Sequence, residues 1–403
     1  MAQDGVDNGR MNRPKTPRRP ASELEQATPL LGGLSPQRFM ARHWQRQPLW
    51  VKQAMPQVQP PIDRAGLFQL ASQEGVESRL IERRDGQWRL RHGPMPRRAL
   101  PPVSPPGWTL LVQGLDLQVQ TAHDLLRRFH FIPQARLDDL MLSYASDGGG
   151  VGPHVDSYDV FLLQVQGRRH WRVSPPSDAG FIEGLPLRIL DRFEPTQEGV
   201  LEPGDMLYLP PGWGHDGVAV GGDCMTASIG FRAPTAAELV QAVLWRVAEG
   251  LPTEGKPWGR RHADPGLPAT AHSGALPTGL VDNAQAWVAQ ALAQPGVVAR
   301  ALGEWITEPK AQVVFDLAST DAHPVRNGQG VVLDRRTRMA HDDRHVFING
   351  ESYRMAGRDA QLLRALADRR QWSAAEVARL SPEAQSVLLD WLDQGWMHPF
   401  GAP

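Results

Sequence analysis

From Leu137 to Phe231 the chain is cut into short apolar runs by turns rich in glycine and proline, with no helical pattern between them. A parallel sheet is excluded, because its strands need crossovers of about a dozen residues or more, usually helical. The predicted strands are 137–144, 158–166, 168–173, 187–190, 199–201, 206–209, 217–219 and 223–231. Many short antiparallel strands joined this way predict a double-sheet barrel or jelly roll.

Two points in that pattern carry metal-binding side chains. Gly148-Gly149-Gly150-Val151-Gly152-Pro153-His154-Val155-Asp156 opens the apolar run Val160 to Val165. Strand residues two apart share a face, so His154 and Asp156 project together. The preceding glycines let the backbone turn into the strand. Further on, Glu202-Pro203-Gly204-Asp205 predicts a turn and Met206 to Leu209 a strand, and Pro210-Pro211-Gly212 delivers His215 to the same cavity. A lone histidine is usually a surface or core residue, and a bare His-x-Asp is common by chance. Two such elements at strand ends in one sheet are a different matter. Two imidazoles and one carboxylate take one face of an octahedral Fe(II) and leave three positions for co-substrate and oxygen. Zinc could use the same ligands, but a set without thiolate suits Fe(II) better.

Eleven residues past Asp156 begins Gly167-Arg168-Arg169-His170-Trp171-Arg172-Val173, with Arg169 thirteen past it. An iron oxygenase using 2-oxoglutarate needs a cation for the distal carboxylate, and arginine offers bidentate hydrogen bonds. Alternation sets Arg169, Trp171 and Val173 on one face. Trp171 and Val173 call for burial, so Arg169 is the inward arginine and the others belong to a solvated face. Tyr158 and Asp159, just past the triad, are candidates for gripping a cationic substrate side chain; the alternative is that they are ordinary strand residues.

The flanks divide the chain. Residues 1–28 are polar, with Arg10, Arg13, Lys15, Arg18 and Arg19 close together, and predict a disordered tail. Ser35-Pro36 starts a helix, Asp63 to Ala71 is another, and Asp85-Gly86 turns a hairpin. Trp108 to Gln113 reads as a strand and His123 to Phe129 as a helix. Thr235 and Glu238 form a capping box for an apolar stripe through Val247. Helices at Asn283 to Ala293 and Val297 to Ile306 follow a long Pro/Gly/His-rich loop. Their apolar faces suit a subunit interface. After about residue 310, strands at Val331 to Leu333 and Arg344 to Met355 and three helices, at 361–366, 374–378 and 382–392, suggest a winged-helix-like module. It holds 12 Lys/Arg and 12 Asp/Glu, a balance that suits protein contact over DNA reading.

Composition excludes little beyond that. A net charge of -1 argues against a protein built to coat nucleic acid, and a single cysteine, Cys224, excludes an intramolecular disulfide or a multi-cysteine metal cluster. No run reaches the roughly 18 apolar residues of a membrane span, and no apolar stretch follows Arg18-Arg19 as a signal peptide requires. A soluble, cytoplasmic protein is expected.

The glycine run with His154 and Asp156, the Gly-Arg-Arg-x-Trp-Arg-Val segment, Glu202-Pro203-Gly204-Asp205, Pro210-Pro211-Gly212 with His215, and Gly230-Phe231-Arg232-Ala233-Pro234 together resemble the JmjC-type ribosomal oxygenases. The similarity extends to His43-Trp44-Gln45-Arg46-Gln47-Pro48, Asp85-Gly86-x-Trp88 and His92-Gly93-Pro94, and is strongest with the bacterial branch that hydroxylates an arginine of a large-subunit ribosomal protein. The resemblance implies a mainly β fold with added helices. A cupin-like double-stranded β-helix (29–234) is followed by a helical dimerisation region (235–309) and a winged-helix-like domain (310–403). It implies Fe(II) on His154, Asp156 and His215, 2-oxoglutarate on Arg169, molecular oxygen as oxidant, a ribosomal protein substrate, a homodimer, and no membrane or direct DNA contact. One position departs: where a serine helping to hold the co-substrate is expected, the chain has Ala145, with Ser143 and Ser146 nearby but out of register. Competing readings are a JmjC oxygenase acting on another side chain, by histidine hydroxylation or methyl-lysine demethylation, and a non-catalytic cupin-type scaffold.

Overall fold

The computed structural model describes residues 21–317, 324 and 328–400, so most of the expected tail lies outside the described residues. From Ala21 onward there is a short helix, Ala21–Glu25. The next helix, Pro36–Arg42, is capped by the Ser35 hydroxyl, which accepts from the Arg38 amide, with proline at its first position.

Ten strands form the catalytic sheet: β1 (Leu49–Val51), β2 (Ser78–Arg84), β3 (Gln87–His92), β4 (Trp108–Val112), β5 (Leu137–Ala145), β6 (His154–Val155), β7 (Asp159–Ser174), β8 (Gln197–Leu201), β9 (Met206–Leu209) and β10 (Gly214–Phe231). Their order is β1-β9-β7-β10-β5-β4-β2-β3, with β6 beside β10 and β8 beside β7. Among the described residues its ladders are all antiparallel, as the turn chemistry requires. The β2–β3 hairpin turns at Asp85-Gly86, both with positive φ.

Two expected breaks are bends. The runs 158–166 and 168–173 are one strand, β7, and 217–219 and 223–231 are one strand, β10. At Gly167 (φ 65) a Cβ would fall 2.8 Å from the Asp223 carbonyl, so glycine here lets β10 approach while β7 continues. Opposite it, β10 shifts register between Val220 and Met225, a bulge that turns both strands together. The expected strand 187–190 is a loop held by a single bridge between Phe181 and Leu190.

Alternation sorts the sheet's two faces. Leu140, Leu142 and Tyr144 of β5, Phe161, Leu163 and Val165 of β7, and Met225, Ala227 and Ile229 of β10 bury against Phe39, Leu67 and Phe68 of the N-terminal helices. Their neighbours Met141, Ser143, Val160, Leu162, Thr226 and Ser228 face a cavity on the other side.

The predicted capping box is formed at Thr235 and Glu238, opening the helix Ala236–Glu249. The helix expected at 283–293 runs Thr278–Leu292, and the next, Val297–Thr307, packs on the first helix through Val247 and Ala301. Its other face meets the C-terminal module, where a Cβ at Gly303 would lie 2.4 Å from the Phe347 ring. That module holds a three-stranded sheet with Gly330–Leu333 at its centre, a wing from Met339–His341 through Glu351–Arg354, and the helices Gly357–Arg369, Ala374–Val377 and Pro382–Asp393. Trp372, Trp391 and Leu366 fill its own core. The first of these helices begins four residues before the expected 361 because its polar opening turn, Gly357-Arg358-Asp359, carries no apolar signal.

Candidate active site

The two histidines meet through strand pairing. His215 of β10 is the register partner of both His154 of β6 and Val173 of β7, so three strands fix the position of one imidazole. Asp156 follows β6 directly. Its carboxylate oxygens lie 3.9 Å from His154 Nε2 and 3.5 Å from His215 Nε2, and one ligand atom from each residue falls within 4.8 Å of the others.

Both rings are oriented from behind. His154 Nδ1 lies 2.9 Å from the Gly152 carbonyl and His215 Nδ1 lies 3.0 Å from the Trp213 carbonyl. A carbonyl only accepts, so each Nδ1 carries the proton and each Nε2 offers a lone pair toward Asp156. That is how histidine ligands are set in metal sites. Gly152 can be nothing larger: φ is +78, and a Cβ would sit 2.6 Å from Ile189 Cδ1 and 3.0 Å from Trp88.

The charges suit a cation. Burial alone would raise the Asp156 carboxyl, but the His215 ring, 3.5 Å away, and the His154 ring beside it hold it down at about 2. Burial, with His215 beside it, lowers His154 and keeps it neutral. Burial also opposes charge on His215, yet Asp156 outweighs this and raises it. An anionic carboxylate among imidazoles with free Nε2 positions is the donor set of a divalent metal.

Arg169 is 4% exposed, and its Nη1 donates to the Gly217 carbonyl at 3.3 Å. Its Nε and Nη2 are buried with no protein acceptor, although such donors are rarely left unmet. Arg169 lines the cavity that holds the triad, where a carboxylate would satisfy these donors. Trp171 and Val173 are buried as alternation required. The residues therefore fit both an iron ion and 2-oxoglutarate.

The cavity is about 380 Å³, walled by Val160, Leu162 and Trp171, with Ile81, Leu90 and His92 of the hairpin and the loop 186–189 at its side. Tyr158 lines it near Asp156; burial and that carboxylate raise its phenol. Asp159 does not line it. The next residue along a strand faces the other way, and Asp159 is fully buried, accepting from Tyr208 Oη at 2.6 Å and Gln45 Nε2 at 2.9 Å.

Ala145, at the position where a co-substrate serine is expected, ends β5. On β5 the cavity face carries Met141 and Ser143, while Ala145 packs against Ala219 and Cys224. The Ser143 hydroxyl donates to the Thr226 carbonyl at 3.3 Å, and Ser146 turns away to Trp108. Sequence reading missed Thr226, Ser228 and Arg79. For the first two the signal was present: they alternate with the buried Met225, Ala227 and Ile229.

A two-layer antiparallel β fold that gathers two histidines, a carboxylate and a buried free arginine into one cavity defines a class, the cupin-like oxygenases. Known proteins agree. Residues 124–239 match the JmjC domain and residues 290–398 the ROXA-like winged helix. The Escherichia coli ribosomal protein uL16 3-hydroxylase is 33% identical over 320 residues, covering 78% of this chain and 84% of that one. A probable ribosomal oxygenase of Haemophilus influenzae is 36% identical over 214 residues, 52% of each chain. The structure of YcfD, a ribosomal oxygenase from Escherichia coli, in complex with cobalt and 2-oxoglutarate superposes with a TM-score of 0.77 at 30% identity, over 91% of this chain and 99% of that one. The chain belongs to the JmjC ribosomal oxygenase family, the 2-oxoglutarate-dependent dioxygenases with a ROXA-like winged helix.

Proposed function

We propose that this protein hydroxylates the β-carbon of an arginine in the large-subunit ribosomal protein uL16. The observation that carries the reading is the pairing of the triad and Arg169 in one cavity with 33% identity to a uL16 3-hydroxylase across most of both chains. Bound at His154, Asp156 and His215, Fe(II) with 2-oxoglutarate supplies the oxidant that inserts one oxygen atom into a carbon–hydrogen bond. The chain itself binds, orients and dries. The two backbone carbonyls behind the histidines keep Nε2 aimed at the metal position. Arg169 orients 2-oxoglutarate through its distal carboxylate, leaving the 2-oxo acid end for the metal. Val160, Leu162 and Trp171 exclude water around the reacting carbon. Tyr158 stands beside Asp156 where a substrate side chain enters. Mass spectrometry of ribosomal proteins from cells with and without the gene tests the reading: uL16 is expected to lose the mass of one oxygen atom on deletion, and an unchanged uL16 overturns it.

We further infer a homodimer acting in the cytoplasm. Support for the dimer comes from the large apolar side chains exposed on two helices, Val240 and Trp245 on one and Leu280 and Val288 on the other. Among the described residues no helix is long and apolar enough to cross a membrane.

A further inference from the structure

A second cavity, of about 60 Å³, lies where the catalytic sheet meets the C-terminal module, and none of its lining residues lines the metal cavity. Three arginines converge on it. Arg335 Nε donates to the Leu117 carbonyl at 2.8 Å and Arg338 Nη2 to the Leu137 carbonyl at 2.9 Å, both acceptors belonging to the catalytic region. Arg370 Nη2 donates to the carbonyls of Asp334 and Thr337 at 2.7 and 2.9 Å.

All these acceptors are neutral. Among the described residues, no carboxylate lies within ion-pair distance of any of the three arginines. The other cations are committed elsewhere, Lys310 to Asp138 and Asp139, and Arg336 to Asp334 and Asp316. Two carboxylates also face the cavity: Asp138 is paired with Arg232 and Lys310, and Asp116 is buried with one of its oxygens taken by the Leu140 amide. Buried positive charge without a counter-charge is costly. Burial, then neighbouring cations (Arg232 for one, Arg127 for the other), pushes Arg338 and Arg370 down to about 10.

The backbone adds an independent sign. Arg370 is 5% exposed and caps the helix Gly357–Arg369 at φ +64, a left-handed position that glycine or asparagine ordinarily fills. A non-glycine residue held there marks a side chain that the surroundings require. Here the requirement is a guanidinium inside the junction.

We propose that this junction cavity is a binding site for a small tetrahedral oxyanion, inorganic phosphate or sulfate, held by Arg335, Arg338 and Arg370. At roughly 10–15 Å³ for each water-sized position, the volume accommodates about four to six oxygen-sized positions, enough for one such ion and too little for a nucleotide. Guanidinium donors match oxyanion geometry, and the bound ion supplies the missing counter-charge. It also bridges the catalytic region and the C-terminal module, so it binds the assembled chain in preference to the unfolded one and stabilises it.

The test uses the full-length protein with phosphate and sulfate as probes, and chloride at matched ionic strength as the control. Tm is expected to rise saturably with either oxyanion, and calorimetry to give one site per chain. Arg169→Met and His154→Ala, which remove the oxyanion-binding groups of the metal cavity, are expected to leave the response intact. Arg338→Met is expected to weaken it at least tenfold. Should Arg338→Met fail to fold, Arg335→Gln carries the same expectation. A response confined to phosphate supports the site and names phosphate as its ligand. A rise that chloride reproduces, or one that survives in Arg338→Met or Arg335→Gln, overturns it.

Discussion

His154 and His215 face one another across the β6–β10 ladder with ring centroids 4.1 Å apart, each held from behind by a backbone carbonyl two residues before it. Because the strand register sets that spacing, the site is built before any ion arrives. His154→Ala removes one of three ligands without touching a core side chain. Divalent-metal affinity is expected to fall by orders of magnitude and 2-oxoglutarate turnover to vanish, while Tm of the metal-free protein stays within about 1–2 °C of wild type, since His154 lines a cavity and is no part of the hydrophobic core. Turnover surviving in the variant would place the metal elsewhere.

Arg169 presents the opposite balance of stability and function. Its two unmet buried donors cost stability in the free protein and become useful only when a carboxylate arrives. Arg169→Met keeps the volume and removes the charge. The KM for 2-oxoglutarate is expected to rise about 10- to 100-fold, the range of a charge-assisted hydrogen bond worth about 1.5–3 kcal/mol, while Tm without co-substrate holds or rises. A variant with unchanged KM would move the carboxylate partner to another residue.

How far this was legible from sequence depends on whether a feature is local. Period-two alternation is local, so it put Arg169, Trp171 and Val173 on one face and paired His154 with Asp156. The same rule separates Asp159 from Tyr158, and grouping those neighbours as joint substrate contacts overlooked it. Whether a strand ends or bends is not local. Gly167 has the composition of a turn, and only the approach of the Asp223 carbonyl makes it a bend within one long strand. Register across strands is likewise set by the whole sheet. Ser143 and Thr226 are 83 residues apart and are brought together on the cavity wall by the β5–β10 ladder, which no local pattern in the sequence announces.

Tyr158 and Asp159 separate substrate contact from support. Tyr158 lies in the cavity beside Asp156, so Tyr158→Phe is expected to lower kcat/KM for the protein substrate several-fold with KM for 2-oxoglutarate and Tm unchanged. Asp159 accepts from Tyr208 and Gln45 in the interior, with Arg136 at 3.6 Å. Asp159→Ala leaves these donors unmet at about 1–3 kcal/mol each, so Tm is expected to fall while the folded fraction retains its kcat/KM. Thermal melts and steady-state kinetics on both variants check this; a substrate KM effect in Asp159→Ala without loss of Tm would return that residue to the substrate site.

Asp116 links the junction to pH. Burial first, and Asp139 second, push its carboxyl up from 3.8 to about 7. The unfolded chain therefore releases this proton near pH 4, whereas the folded chain holds it to near pH 7. Between those values the folded state binds more protons, so this contribution to stability falls as pH rises. It is fully present below about pH 4 and lost above about pH 7. Asp116→Asn keeps an oxygen for the Leu140 amide, 2.8 Å away, and cannot ionise. Relative to wild type, the variant is expected to gain stability from pH 5 to about pH 7 and to level off by pH 8, reaching on the order of 2–4 kcal/mol at about 1.4 kcal/mol per pKa unit. Urea unfolding of both proteins across that range measures the difference directly. Parallel curves for the two proteins would mean that Asp116 is already ionised in the folded chain at pH 5 and that the junction holds its charge without strain.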